Sequence, residues 1–245
     1  MPLIASQIAA LQDRLAQVRE RIARAAERAH RDPALVRLVA VSKTFDADCV
    51  RAVAEAGQID FGENKVQEAA LKRQDTADLP IRWHLVGHLQ SNKVRKAASE
   101  FDVVHSIDDA ELLEKLESAA KASGRRVEAY IQVDLAREAT KHGAREDDVP
   151  RILEVAATCE AVAVRGLMLL PPFFDKPDDA RPWFRRLRSL RERLASAGVN
   201  PALMAELSMG MSHDFETAIE EGATVVRVGT AIFGARPARA GGPVG

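Results

Sequence analysis

The feature that most constrains this chain is an alternation. From Arg37 almost to the C-terminus, short apolar runs rich in β-branched residues alternate with amphipathic segments of helical period, and no linker interrupts them. The runs are RLVAVSKTF, QIDFGEN, RWHLVGHL, FDVVHSI, EAYIQVDLA, VAVRGLMLL, LMAELSM and TVVRVGT. Eight strands with helices between them predict an α/β fold, a single (β/α)8 TIM-type barrel. The 245 residues agree with the ~250 typical of that fold. One domain is expected over 1–236, followed by a flexible Pro/Gly/Ala-rich tail over 237–245. Ahead of the first strand, Ile4, Ile8, Leu11, Leu15, Val18 and Ile22 recur at three- and four-residue steps and the pattern stops at Asp32-Pro33. This predicts an extra N-terminal helix covering the barrel wall. An open doubly wound sheet is the competing topology, but neither a G-x-G-x-x-G nor a G-x-x-x-x-G-K-[ST] is present.

Composition removes several function classes. Acidic and basic residues nearly cancel, for a formal net charge of -1, which argues against a nucleic-acid partner. No apolar run approaches the ~20 residues of a membrane helix, and MPLIASQIAALQDRL becomes charged too early for a secretory signal. A cytoplasmic protein, monomeric and without a membrane contact, is expected. Cys49 and Cys159 lie far apart and read as packing residues. His84 and His88 are four apart on a strand and its loop, with no third ligand at suitable spacing, so no metal site is expected.

In parallel α/β folds, ligands sit at the C-terminal ends of strands. Here that rim comprises Lys43; Gly62-Glu63-Asn64; Gly87 to Asn92; Ser106; Asp134; Pro171; Ser208-Met209-Gly210; and Gly229-Thr230. Lys43 ends an apolar run, where an ammonium must be solvated, paired or neutralised. Barrels commonly hold a phosphate between the loops after strands seven and eight. Ser208-Met209-Gly210-Met211-Ser212 and Gly229-Thr230 occupy those places, with AIFG as a short helical turn. Backbone N–H groups there, with the Ser208 and Thr230 hydroxyls, suit a phosphate. A lysine on strand one and a phosphate site across the mouth together suggest pyridoxal 5'-phosphate, its aldehyde held by Lys43 as a Schiff base.

VAVSKT, FGENKVQEA, WHLVGHLQSNKVRK, VHSID, VRGLM, LSMGMSHDFETAIEEG and VRVGTAIFGAR together resemble the YggS/PROSC family of pyridoxal phosphate homeostasis proteins. The resemblance spans about residues 37 to 236. It implies a barrel similar to the N-terminal domain of alanine racemase, without the racemase's second domain. It further implies that Lys43 is the Schiff-base lysine, that Ser208, Gly229 and Thr230 contact the phosphate, and that Asn64 is a cofactor-side residue. Arg227 is implied to face the pyridine nitrogen and, as a guanidinium, to keep it unprotonated. Lys141, in a K-x-G pattern, is implied to assist cofactor transfer. One departure is Phe45, where many members carry a polar residue.

Three classes of function fit these residues. The first is a carrier that holds pyridoxal phosphate and supplies it to dependent apo-enzymes, without substrate turnover. The second is an amino-acid racemase or lyase of the alanine racemase-like fold. The third is an enzyme forming a Schiff base with a phosphorylated substrate. Racemisation needs an acid/base on each face of the substrate carbon, and the sequence has a single tyrosine, Tyr130, assigned to a strand. The carrier is therefore the expected function.

Overall fold

Val, Ile and Leu dominate the apolar runs, and in this computed structural model, which describes residues 3–136 and 142–235, each run becomes a parallel strand. The strands are β1 (Arg37–Val41), β2 (Asp60–Glu63), β3 (Arg82–Leu85), β4 (Val103–Ile107), β5 (Val127–Gln132), β6 (Val162–Met168), β7 (Glu206–Met211) and β8 (Val225–Val228). They pair in sequence order and β8 closes on β1, so the sheet has no edge. This is the expected barrel. Helices α2 (Ala47–Glu55), α3 (Val66–Asp75), α4 (Val94–Glu100), α5 (Ala110–Ala122), α6 (Val149–Ala156), α7 (Arg181–Ser196) and α8 (Phe215–Glu220) surround it, and a one-turn α9 (Thr230–Phe233) follows β8. Asp46 and Asp109 start α2 and α5 by accepting the Cys49 and Leu112 N–H groups, each three residues on.

The N-terminal helix α1 (Ala5–Arg28) buries Leu11, Leu15, Val18, Ile22, Ala25 and Ala26. It packs on α2, α8 and α9, as expected of a wall-covering helix. Its arginines fix it in place: Arg14 donates to the Ile232 carbonyl at 2.7 Å, and Arg19 to the carbonyls of Ala56 and Gly57 at 2.9 and 2.8 Å. In α7 the buried stripe is Phe184, Leu187, Leu190 and Leu194, while Trp183 is half-buried. The helical period, not ring size, selects which aromatic residue faces the sheet.

Most apolar side chains lie between the sheet and the helices, in one continuous core. The barrel interior holds only a small apolar group: Val39, Val103, Tyr130, Met168 and Val225. Branched aliphatic side chains usually fill such interiors. Here buried His84, His105, Ser208 and Arg227 occupy much of the space instead. No helix of the described residues is long and apolar enough to cross a membrane. Lys141 and the proposed tail lie outside the described residues.

Candidate functional site

At the C-terminal ends of the strands a cavity of about 550 Å³ opens to solvent, within the range of ligand sites. Lys43, Asn64, Arg227, Gly229 and Thr230 all line it. Five of the six residues expected to bind the cofactor are thus brought together from β1, β2, β8 and their loops. The sixth, Ser208, is not in the lining.

The turn carrying Lys43 is clamped from below. Lys72 of α3 is buried, with its Nζ 2.6 Å from Glu63 Oε1 and 2.9 Å from the Ser42 carbonyl. Ser42 Oγ donates to the same carboxylate oxygen at 2.7 Å. Burial pushes the Glu63 carboxyl up, against the pull of Lys72 and Ser42. Thr44 takes φ 72°, a left-handed conformation that is costly for a β-branched residue. Its N–H is held at 2.8 Å by Glu68 Oε1, which also lies 3.5 Å from Lys72 Nζ. Phe45 stacks on Phe233 of α9, with ring centroids 5.2 Å apart. The residue that departs from the family pattern therefore ties the lysine turn to the loop after β8.

After the neighbouring strand β8, the Gly229 and Ala231 N–H groups both point at Ser212 Oγ, at 3.0 and 3.3 Å. These donors, the half-buried Ser212 and the exposed Thr230 form a small anion-accepting cradle. Gly229 is tightly placed: a Cβ there would meet the Val41 carbonyl oxygen at 3.2 Å.

Ser208 lies deeper. The expectation that it contacts a phosphate rested on ending strand seven at Met209, whereas β7 runs on to Met211. Its pairing with β8 shifts between Ser208↔Val225 and Met211↔Arg227, so β7 gains a residue there. Gly210, at φ 93°, makes that bulge, and a side chain would collide with Ala218 and Phe215 of α8. Ser208 is fully buried inside the barrel, and Ser212, just beyond the end of β7, reaches the cavity. A serine-glycine segment looks like a loop in sequence, and the alternation Leu207, Met209 toward the wall was the signal that the strand continues.

Arg227 forms the cavity floor. It is fully buried apart from 4% exposure, and donates from Nη1 to Ser208 Oγ at 2.6 Å and from Nη2 to the Leu169 carbonyl at 2.9 Å. Burial lowers its pKa to about 10, which leaves it charged at neutral pH. His84, separated from His88, is inside the barrel rather than at the mouth, 2.9 Å from His105 and 2.8 Å from Asp60.

Sequence spacing did not bring His88, Asp108 and His142 together, but the loops after β3, β4 and β5 do. Their donor atoms lie within 4.8 Å of one another. The two imidazoles stack 3.6 Å apart with 8° between planes. Ring-nitrogen lone pairs lie in the ring planes, so one ion cannot sit in both planes in this arrangement. His142 is anchored by its carbonyl, which accepts from Gln132 Nε2 at 2.5 Å. His88 and His142 line the cavity together with Phe173, Leu170 and His213.

The family "Alanine racemase, N-terminal domain" matches residues 14–237. The pyridoxal phosphate homeostasis protein of Pseudomonas aeruginosa is 43% identical over 224 residues, covering 91% of this chain and 95% of that protein. That of Aquifex aeolicus is 41% identical, covering 91% and 97%. Among solved structures, PipY of Synechococcus elongatus PCC7942 with PLP bound superposes with a TM-score of 0.81 at 38% identity, covering 91% of this chain and all of that one. Alanine racemase from Clostridium difficile, 16% identical with a TM-score of 0.71, covers 94% of this chain and 58% of its own, and shares the fold. The chain belongs to the family of pyridoxal phosphate homeostasis proteins, built on the alanine racemase N-terminal barrel.

Proposed function

We propose that this protein binds pyridoxal 5'-phosphate in the mouth cavity, holds its aldehyde on Lys43 as a Schiff base, and supplies it to dependent apo-enzymes without turning over a substrate. The observation that carries the reading is that Lys43, after β1, and Gly229, after the neighbouring β8, line one cavity, with the Gly229 and Ala231 N–H groups gathered on the Ser212 hydroxyl that also lines it. An amine and an anion cradle at separate points of one cavity suit a ligand that carries both an aldehyde and a phosphate. When bound, the cofactor supplies a reactive aldehyde and an electron-accepting ring.

The chain's own residues restrain that chemistry. The Arg227 guanidinium at the floor has donors only, so it hydrogen-bonds a ring nitrogen that carries no proton. That leaves the ring a weaker electron sink. Ser212, Gly229 and Thr230 hold the phosphate end, and Asn64 lines the same cavity as the lysine.

The geometry disfavours the racemase reading at one specific point. The only tyrosine, Tyr130, points into the barrel and donates to Glu206 Oε2 at 2.5 Å. Burial and the neighbouring Glu206 raise its pKa. It is absent from the cavity lining, so it cannot serve as a second acid/base there. The test is α-proton exchange of a panel of amino acids in deuterated water with holo-protein. Exchange no faster than with free pyridoxal phosphate is expected, together with reactivation of an added apo-enzyme. Turnover at enzyme-like rates of about 1 per second or more overturns the carrier reading.

A further inference from the structure

Beneath the cavity, five buried or half-buried side chains join end to end. Arg227 Nη1 lies 2.6 Å from Ser208 Oγ, which lies 2.9 Å from His105 Nδ1. His105 Nε2 lies 2.9 Å from His84 Nδ1, and His84 Nε2 lies 2.8 Å from Asp60 Oδ1. The path crosses the barrel lumen from β8 and β7 to β4, β3 and β2. Asp60, the first residue of β2, borders a second cavity at the opposite end of the barrel.

With both imidazoles neutral, the acceptor-only Asp60 carboxylate and the donor-only Arg227 fix the direction of every bond between them. A guanidinium has only donors, so Ser208 Oγ accepts from Arg227. The serine's single proton is then free for a His105 Nδ1 that carries none, which accepts it. A neutral imidazole with a bare Nδ1 carries its proton on Nε2, and that N–H donates to His84 Nδ1. The same logic puts the His84 proton on Nε2, where it donates to an ionised Asp60, which has only acceptors.

We infer that His105, His84 and Asp60 are positioning residues that hold Arg227 at the cavity floor in a fixed orientation, through a one-way hydrogen-bonded chain with both histidines neutral and protonated at Nε2. Such chains polarise in one sense and strengthen along their length. Around them stand the cations Arg37, Arg82 and Arg227, and on the far side Asp60 is the facing anion. Burial holds both imidazoles below their usual range. The competing arrangement places a proton on both nitrogens of His84 and reverses the His105 bond, so that His105 donates from Nδ1 to Ser208. That arrangement adds a buried positive charge among three arginines.

The inference rests on the proposed binding of pyridoxal phosphate over Arg227, and its test separates the two. Ring-nitrogen NMR of the full-length protein without added cofactor reads the tautomers alone. Both histidines are expected neutral, with N–H at Nε2 and bare Nδ1, between about pH 5 and about pH 8. A His105 Nδ1–H, or a His84 that titrates in that range, overturns the chain whatever the protein binds.

The second arm measures pyridoxal phosphate by absorbance and fluorescence. His105→Leu, which cuts the chain, is expected to lower affinity about tenfold or more and to shift the absorption band and its pH midpoint. Asp60→Asn, which keeps an acceptor oxygen and loses the charge, is expected to do both by less. Wild-type affinity and an unshifted band in a folded His105→Leu protein overturn the positioning role. Wild-type protein that binds no pyridoxal phosphate removes the proposed function and leaves the NMR result to judge the chain.

Discussion

The barrel has a cavity at each end, of similar size and opposite character. The one at the strands' C-terminal ends has about 550 Å³, and the one under α1 about 430 Å³. At the lower end, charges meet charges. Glu206 accepts from Arg37 at 3.3 Å and from Tyr130 at 2.5 Å; Arg82 pairs with Glu128 and lies 3.7 Å from Asp60; Arg165 adds a contact to Glu128 at 3.1 Å. Arg19 is spent on backbone carbonyls. At the upper end, the Arg227 cation is hydrogen-bonded to two neutral oxygens, and backbone N–H groups converge on one hydroxyl. Charges compensated by the chain itself build the barrel. Donors left facing a cavity with only neutral partners build a ligand site.

The largest effect expected lies under the lysine turn, where both kinds of design meet. Lys72→Met leaves Glu63 buried with no counter-charge, and Glu63 Oε2 already has no hydrogen-bond partner among the described residues. The loss is expected to be about 3–5 kcal/mol, read by urea denaturation. Because Lys72 also holds the Ser42 carbonyl, cofactor affinity falls with it. A loss under about 1 kcal/mol would show that this pair behaves like a surface salt bridge.

Acid should act on the interior next. His84 and His105 bind protons more weakly folded than unfolded, because burial disfavours the charged form. The unfolded chain therefore gains protons first as pH falls below about 6.5. Stability is full above that value and falls below it, by up to about 1.4 kcal/mol per pH unit for each histidine. Asp60 works in the same sense: burial alone would raise it, but His84, Arg37 and Arg82 hold it below its usual range. Glu63, Asp108 and Asp214, which burial raises, work in the opposite sense. Urea midpoints measured between about pH 7 and about pH 5 in the wild type and in His105→Leu isolate the histidine contribution from the net slope, and identical slopes in the two proteins would contradict a neutral buried His105.

The smallest effects sharpen the contrast between the two ends. Arg37→Met is expected to cost about 1 kcal/mol, since Glu206 keeps Tyr130, and to leave cofactor affinity within about twofold. Arg227→Met should do the reverse: about tenfold weaker binding, one lost charged hydrogen-bond donor, and a stability change of similar or smaller size because a buried charge is removed with it. Equal effects on affinity from both substitutions would erase the distinction between the ends.

The barrel, the N-terminal helix and the clustering of five of the six candidate site residues were legible in the sequence, because periods of two and 3.6 residues are local signals. Lys43 and Arg227 announced themselves as charges beside apolar strand residues. Ser208 was placed too near the mouth because a bulge at Gly210 adds a residue that alternation alone cannot count. The polar barrel interior was hidden for a different reason. Which face of a strand meets the lumen and which meets a helix is decided only when all eight strands close. His105 and His84 are 21 residues apart in sequence, and His105 and Ser208 are 103 apart. Nothing local marks such pairs as partners.

The central claim is that the mouth cavity holds pyridoxal phosphate on Lys43. It is tested most directly by reconstituting the protein with pyridoxal phosphate, reducing it with borohydride and mapping the modified peptide by mass spectrometry. The account predicts one pyridoxyl group on the peptide containing Lys43, and no stable modification or yellow colour in Lys43→Ala. Stable labelling of another lysine in the wild-type protein, or none at all, would contradict it.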